Sequence, residues 1–525
     1  MKQFSKMLLT ITLLGAVSGV SAADVYSSSY FLGHVGDSVG NGTLEMAGRT
    51  HLPDQDSMYG VFSVQTGYSQ NFDQKKTGSY MFQTGTKNAN TLNVGPANDG
   101  ANGTDIYSAN FGLGGGFASV ITANPKFQAE TTDFRVFVGL DEWVDGLHFQ
   151  ANLPVVWTSW DMQLTETTPN PVAADFGANV WDAGGFASAT TTVAEYLKGG
   201  VVTPAAGLML PAGLQFGLVD GKQKMTKVGN VNVSLSYDFI QKDGCYLSVG
   251  VNGLFNGAGK SKAKYWFEPA IGTMGRQGVG AAINGGYEFW ESQDDDAHFC
   301  AHFKAHVDHL FDATVRRSFD ITGRGQGSRY LLVKESTQAV GGAAVNPTIQ
   351  NAINITSVQA KVGIGVMYNL DFLLRYQNGG LNLDLGYQLW GHSKEKLSKF
   401  VSTIDSVYAF QNMEADAGRG ANVIRNPNLS SPNVTLNGAS DAAGALVDAA
   451  VATTAANTLN STDQLIIDSG LQPSALTNSV FGNVGYGWDD NDWQPFVGGG
   501  AAGTFGMDNK AFSQWHVFVN GGLCF

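Results

Sequence analysis

The chain has 525 residues, with 31 Lys and Arg against 45 Asp and Glu and a formal net charge of −14. That acidic balance excludes the basic footprint that nucleic acid requires. Charged residues make up only 14% of the chain, and 67 glycines stand beside 14 prolines, whereas about a quarter charged is usual for a soluble domain.

In chain order, the opening "MKQFSKMLLTITLLGAVSGVSAA" has Lys2 and Lys6, an apolar stretch from Met7 to Val17 and small residues ending at Ala22. That order predicts a cleaved secretory signal over 1–22. Beyond it, no apolar run reaches the roughly 18 residues of a membrane helix. Alternation with a period of two recurs instead. In "LHFQANLPVVW", Leu147, Phe149, Ala151, Leu153, Val155 and Trp157 share one face, while His148, Gln150, Asn152 and Pro154 share the other. The same pattern predicts strands near 57–70, 131–140, 147–157, 229–240, 245–255, 281–290, 298–311, 358–376, 381–390, 476–488, 493–502 and 513–525. The segment 106–123 is open to two readings, a further strand pair or part of a loop. Short helices are expected within loops, as in "AEYLKG" (194–199). The Ala-rich stretch 440–459 reads equally as helix or as flexible low-complexity chain.

Connectors alternate between tight and long. Residues 141–146, 241–244, 291–297, 377–380 and 489–492 form compact links, several with Asp-Gly or Asn-Gly pairs suited to hairpins. The links between them are mostly long. A strand that alternates along its whole length can bury its backbone polarity in a bilayer only within a closed barrel. Short periplasmic turns and long outer loops are the asymmetry of such barrels. The fold class predicted is therefore all-β: a transmembrane antiparallel β-barrel of about twelve strands, within a range of twelve to sixteen. It spans 23–525, with long extracellular loops at 71–130, 158–228, 312–356 and 391–475.

The last strand, "SQWHVFVNGGLCF", puts Trp515, Val517, Val519, Leu523 and Phe525 on one face, with Gly521 among them. It resembles the C-terminal signal of Gram-negative outer-membrane β-barrel proteins of the porin or major outer membrane protein type. The resemblance implies location in the bacterial cell outer membrane, with the lipid bilayer and lipopolysaccharide as surroundings and the barrel-assembly machinery as a partner. It further implies a homo-oligomer and a porin or channel for passive diffusion of small hydrophilic solutes and ions. The alternative is a surface structural or adhesion barrel whose loops bind partners. In the channel reading, an outer loop, 158–228 or 391–475, folds inward and narrows the pore.

Strand parity assigns Arg135, His148, Gln150, Asp238, His302, Lys304, His306, Asp308, Lys361, Arg375 and Asp384 to the lumen. Because both charge signs occur, weak ion selectivity is expected. In "AHFCAHFKAHVDHLF" (297–311), His298, His302 and His306 would share a helix face and invite a metal-site reading. Strand alternation explains every position without one, since same-face neighbours stand nearly 7 Å apart. Absent ligands from a neighbouring strand, neither metal nor cofactor is expected. His306 and Asp308 resemble the His/Asp pair of omptin-type outer-membrane proteases over a two-residue spacing alone. No second acidic motif completes a hydrolase, so no enzyme and no catalytic residue is expected. Lys260, Lys262, Lys264, Arg316, Arg317, Arg324 and Arg329 fall in outer links, either as solvated charge or as a patch for anionic sugars or loop carboxylates. Cys245, Cys300 and Cys524 allow at most one disulfide.

Overall fold

The computed structural model describes residues 59–81, 90–95, 105–111, 117–170, 186–188, 192–199, 203–204, 213–242, 244–293, 297–324, 327–335, 349–406, 408–410, 458–488, 493–508 and 513–525. The expected signal segment and most of the Ala-rich stretch lie outside these residues.

Twelve strands form the wall: β1 (Gly60–Asn71), β2 (Lys126–Gly139), β3 (Leu147–Asp161), β4 (Asn230–Lys242), β5 (Cys245–Asn256), β6 (Gly278–Glu291), β7 (Ala297–Ser318), β8 (Ser357–Asn378), β9 (Leu381–His392), β10 (Ala475–Gly487), β11 (Gln494–Asp508) and β12 (Gln514–Cys524). Each pairs antiparallel with its sequence neighbours, and β12 pairs with β1 from Val61 opposite Cys524 to Asn71 opposite Gln514, closing the barrel. Gly60 and Phe525 exchange backbone hydrogen bonds of 2.7 and 2.9 Å at that seam. Closure leaves no unpaired edge, which a bilayer demands. The segment 106–123 adds nothing to the wall. Its strand Ala118–Ala123 joins a separate small sheet with Thr91–Gly95 and Leu164–Asn170.

Alternation sets the two faces. Leu153, Leu235, Tyr237, Val249, Val251, Leu385, Val484, Val517 and Val519 are exposed on the outside, whereas Asp133, Ser236, Asn252, Asp308, Asn382 and Ser479 are buried inside. A belt of exposed aliphatic side chains has no place in water and fits hydrocarbon. At the short-turn rim, rings gather: Phe289 and Phe299 lie 5.6 Å apart, Tyr486 and Trp488 5.1 Å, and Trp493 and Phe525 5.9 Å. This is the aromatic girdle of a bilayer interface. The hairpin turns there rest on left-handed glycines, Gly244 at φ 68° and Gly379 at φ 52°.

Two departures from regular pairing build the outer side. Pro154 has no N–H to give to the ladder; β4 pairs with β3 only up to Asn152, and the segment Lys222–Val228 takes over from Val155 to Asp161. Gly229 bridges the break by donating to the Pro154 carbonyl at 2.8 Å. Strands β7 and β8 run 22 residues each, about 70 Å at 3.3 Å per residue, against an apolar band roughly 25 Å tall. They therefore project beyond the membrane, where Glu395–Phe400 adds a third strand to β8. The projection carries its own apolar core, including Val315, Phe319, Ile321, Val358, Val362 and Leu465.

Candidate functional site

The lumen is layered. Nearest the short-turn rim, Tyr59, Val61, Phe137, Phe496 and Cys524 form an apolar cluster. Cys524 is buried, and no disulfide joins any of the three cysteines. Beside this cluster, His148 Nδ1 stands 3.6 Å from Asp238. Arg375 binds Asp384 through two hydrogen bonds of 2.7 and 3.0 Å. Asn483 donates to Asp384 at 3.0 Å, and Asn520 donates to Asn483 at 3.1 Å. That last bond passes over β11 because Gly498 carries no Cβ, which would otherwise press on both amides.

The middle layer is mostly polar, with Leu373, Phe481 and Ala502 as a small apolar cluster within it. Arg135 donates to Asp133 from Nε at 3.1 Å and from a terminal nitrogen at 2.9 Å, and Asn152 reaches the other Asp133 oxygen at 3.4 Å. Asn252 donates to Asp308 at 2.7 Å, while His306 Nε2 lies 3.6 Å from the same carboxylate. His302 Nδ1 shares a 3.2 Å hydrogen bond with the Tyr246 hydroxyl. Lys304 Nζ donates to Gln150 Oε1 at 2.9 Å, and Asn369 donates to Asp371. Asp308, Asp371 and Ser479 are fully buried. On the wall of a wide water-filled pore they would be wet; here neighbouring side chains cover them.

The outer mouth is apolar. Trp160, Leu254, Leu310, Met367 and Trp390, from the wall strands, join Phe111, Tyr196, Leu197, Trp266, Phe267, Ile271, Met274, Tyr330 and Ile353 in one core. Residues from four outer links supply this cover, where a single infolded loop was expected. Helix Val193–Leu197, capped by Thr192, overlaps the expected 194–199 helix, and its Tyr196 hydroxyl bonds Tyr330 O and Asn351. Of the expected 391–475 loop, residues 411–457 lie outside the described residues.

Just above that core sits a buried charge cluster. Glu395 Oε1 accepts from Arg276 and, at 2.8 Å, from Arg317, and Glu395 Oε2 accepts from the Gln472 backbone N–H at 3.0 Å. Burial alone would raise the Glu395 pKa, but Arg317 and Arg276 outweigh it and hold the carboxyl below its usual range. Arg329 grips Asp320 at 2.9 and 3.0 Å. Of the basic residues read from the outer links, Arg317 and Arg329 thus meet loop carboxylates, and Arg316 lies 4.9 Å from the Phe216 ring.

Of the residues that parity assigned to the lumen, Arg135, His148, Asp238, His302, His306, Asp308, Arg375 and Asp384 are buried within the barrel, and Gln150 and Lys304 meet there. Lys361 stands elsewhere. It lies on the projecting part of β8, half exposed, 4.0 Å from Asp312, because register shifts after Asp308 and Leu310 carry β7 and β8 out of the wall. Asp133 and Asp371 were missed, although they share parity with Arg135 and Arg375 on their own strands; Asn252, Asn483 and Asn520 were missed on strands where no lumen residue had been assigned.

A closed twelve-strand barrel with a lipid-facing belt, aromatic rim and polar interior is an outer-membrane β-barrel, the class to which bacterial barrels of this form belong. The chain resembles an outer membrane channel from Pseudomonas putida F1, at 8% identity and TM-score 0.35 over 90% of this chain and all of that one. It also resembles the CymD monoaromatic hydrocarbon channel, at 10% identity and TM-score 0.30 over 94% of each chain. The translocator domain of the autotransporter NalP from Neisseria meningitidis is similar at 7% identity and TM-score 0.25, over 92% of this chain and 95% of that one. Likenesses this remote do not discriminate among what such barrels carry. No protein-family model and no curated protein sequence matches the chain.

Proposed function

We propose that the protein is an outer-membrane channel for small hydrophilic solutes and ions, closed in this conformation by its apolar mouth and bonded lumen. The carrying observation is the polar middle layer. An inert anchor could fill its interior with apolar side chains, as the outer mouth is filled, yet this one keeps Arg135, Lys304, His306, Asp308 and Asp371 at membrane depth. Ionisable groups there are expensive and mark pathways for ions or solutes. Passage requires the mouth core to part and the lumen bonds to exchange partners with solute or water, so conduction is gated and narrow.

Planar-bilayer recording of the full chain tests this reading, beside a variant in which Trp266, Ile271 and Met274 become serine to loosen the mouth. Sparse, small openings are expected in the parent and more frequent ones in the variant. Silence from both, with the barrel intact by circular dichroism, would refute the channel.

A second reading, the surface barrel whose loops bind partners, is favoured by the projection of β7 and β8 with its own core. Binding to a surface that is lost when Glu395–Phe400 and its flanks are replaced, with conductance absent throughout, would support it instead.

A further inference from the structure

The short-turn rim holds a cluster that the channel reading does not use. Glu288 and Glu291 on β6 and His298 on β7 bring their ligand atoms within 4.8 Å of one another. His298 Nδ1 is 3.4 Å from Glu288 Oε1 and 4.0 Å from Glu291 Oε1.

A backbone irregularity makes the cluster. Three residues apart on a regular strand, Glu288 and Glu291 would point to opposite faces. The β6–β7 register shifts between Glu288 and Trp290, leaving Phe289 and Trp290 both exposed outside. The extra residue returns Glu291 to the face of Glu288, opposite His298. Bulges of this kind re-aim side chains. The histidines of β7 stand too far apart to share a metal among themselves, but the neighbouring strand β6 brings two carboxylates to His298.

We propose that Glu288, Glu291 and His298 form a binding site for a divalent transition-metal ion, zinc in the first instance, at the periplasmic mouth of the barrel. Ligands 2.0–2.1 Å from a tetrahedral zinc stand about 3.3 Å apart, so the His298–Glu288 separation already matches, while Glu291, 4.0 Å from His298 and within 4.8 Å of Glu288, must draw in to complete the set. One imidazole and two carboxylates are a zinc-type donor set, whereas magnesium and calcium prefer oxygen ligands alone. The side chains of His298 and Glu288 are each 27% exposed and that of Glu291 is 51% exposed, which leaves the site open to ions and a fourth position free for water. The site stands independently of the channel reading.

Calorimetric titration of the full chain in lipid nanodiscs with zinc chloride, and separately with magnesium chloride, tests the proposal. One zinc per chain is expected, with magnesium far weaker. Loss of an outer partner of a metal ligand already costs roughly tenfold, so H298A and E288Q should each weaken zinc binding at least tenfold. E291Q, which alters the most exposed member, should do the same and keeps the test decisive if either of the others fails to assemble. Absence of saturable zinc binding by the parent, or an unchanged affinity in folded E291Q, would overturn it.

Discussion

Lys304 and Gln150 meet at 2.9 Å although their strands, β7 and β3, are four places apart around the wall. A hydrogen bond between non-neighbouring strands crosses the lumen, so this pair is a bar across any pathway. Replacing Lys304 with alanine removes the bar and one positive charge; replacing Gln150 with alanine removes only the bar. Both variants should raise single-channel conductance, and only Lys304→Ala should also shift ion selectivity toward cations. Conductance unchanged in both would show that the passage, if any, runs elsewhere.

The Glu395 cluster predicts an acid-sensitive outer cover. Its carboxyl lies below the ordinary range because Arg317 and Arg276 outweigh the opposing effect of burial. A depressed acid stabilises the fold fully above its unfolded pKa, about 4.3 for Glu, and that contribution disappears as pH falls through the lower folded value. Hydrogen exchange in Glu395–Phe400 should be steady, after correction for intrinsic rates, from pH 7 to about pH 5, and then accelerate in stronger acid. Glu395→Gln leaves two buried guanidiniums without their carboxylate, a change that costs about 3–5 kcal/mol when a buried pair is broken. It should speed exchange at neutral pH and abolish the acid transition; an unaltered acid transition would place the sensitive group elsewhere.

How much of this could be read from the chain depends on which forces act locally. The wall was legible because lipid and lumen impose a period of two on every strand, and Val517 and Val519 are exposed while His516 and Asn520 are buried, as alternation requires. Parity failed where register shifts: Lys361 keeps the polar position of its strand but stands beyond the wall. The same blindness hid Glu291, whose face is set by a bulge at Glu288 and Trp290. The outer cover was illegible for a different reason. Its core joins Phe111, Tyr196, Trp266 and Tyr330 across more than two hundred residues, with ring centroids 5.6 Å apart for Phe111 and Tyr330 and 5.8 Å for Trp266 and Tyr330, and no local pattern encodes such a meeting.

Gly386 on β9 faces Phe481 on β10 in register, and a Cβ at Gly386 would fall within the van der Waals envelope of the ring. The ring is fully buried and packs with Leu373 and Ala502, so it cannot simply swing aside. Gly386→Val should destabilise the barrel by about 1–3 kcal/mol, the usual cost of overpacking, read as a lower urea midpoint in lipid vesicles. Adding Phe481→Ala should recover part of the loss by vacating the space. If the double variant is weaker than either single one by the full sum, the two side chains do not share that space.

Asp384 ties three strands, since it receives both Arg375 bonds from β8 and the Asn483 bond from β10. Both members of the ion pair are almost wholly buried. Asp384→Ala leaves the buried Arg375 guanidinium without this carboxylate, and a cost of about 3–5 kcal/mol is expected. Replacing both Arg375 and Asp384 with leucine removes the stranded charge along with its partner, and such exchanges are often neutral or stabilising. Asn483 then loses an acceptor but keeps its bond from Asn520. The double variant should therefore unfold at a higher urea concentration than Asp384→Ala alone. The opposite order would mean that the pair contributes net attraction beyond what hydrophobic packing can replace.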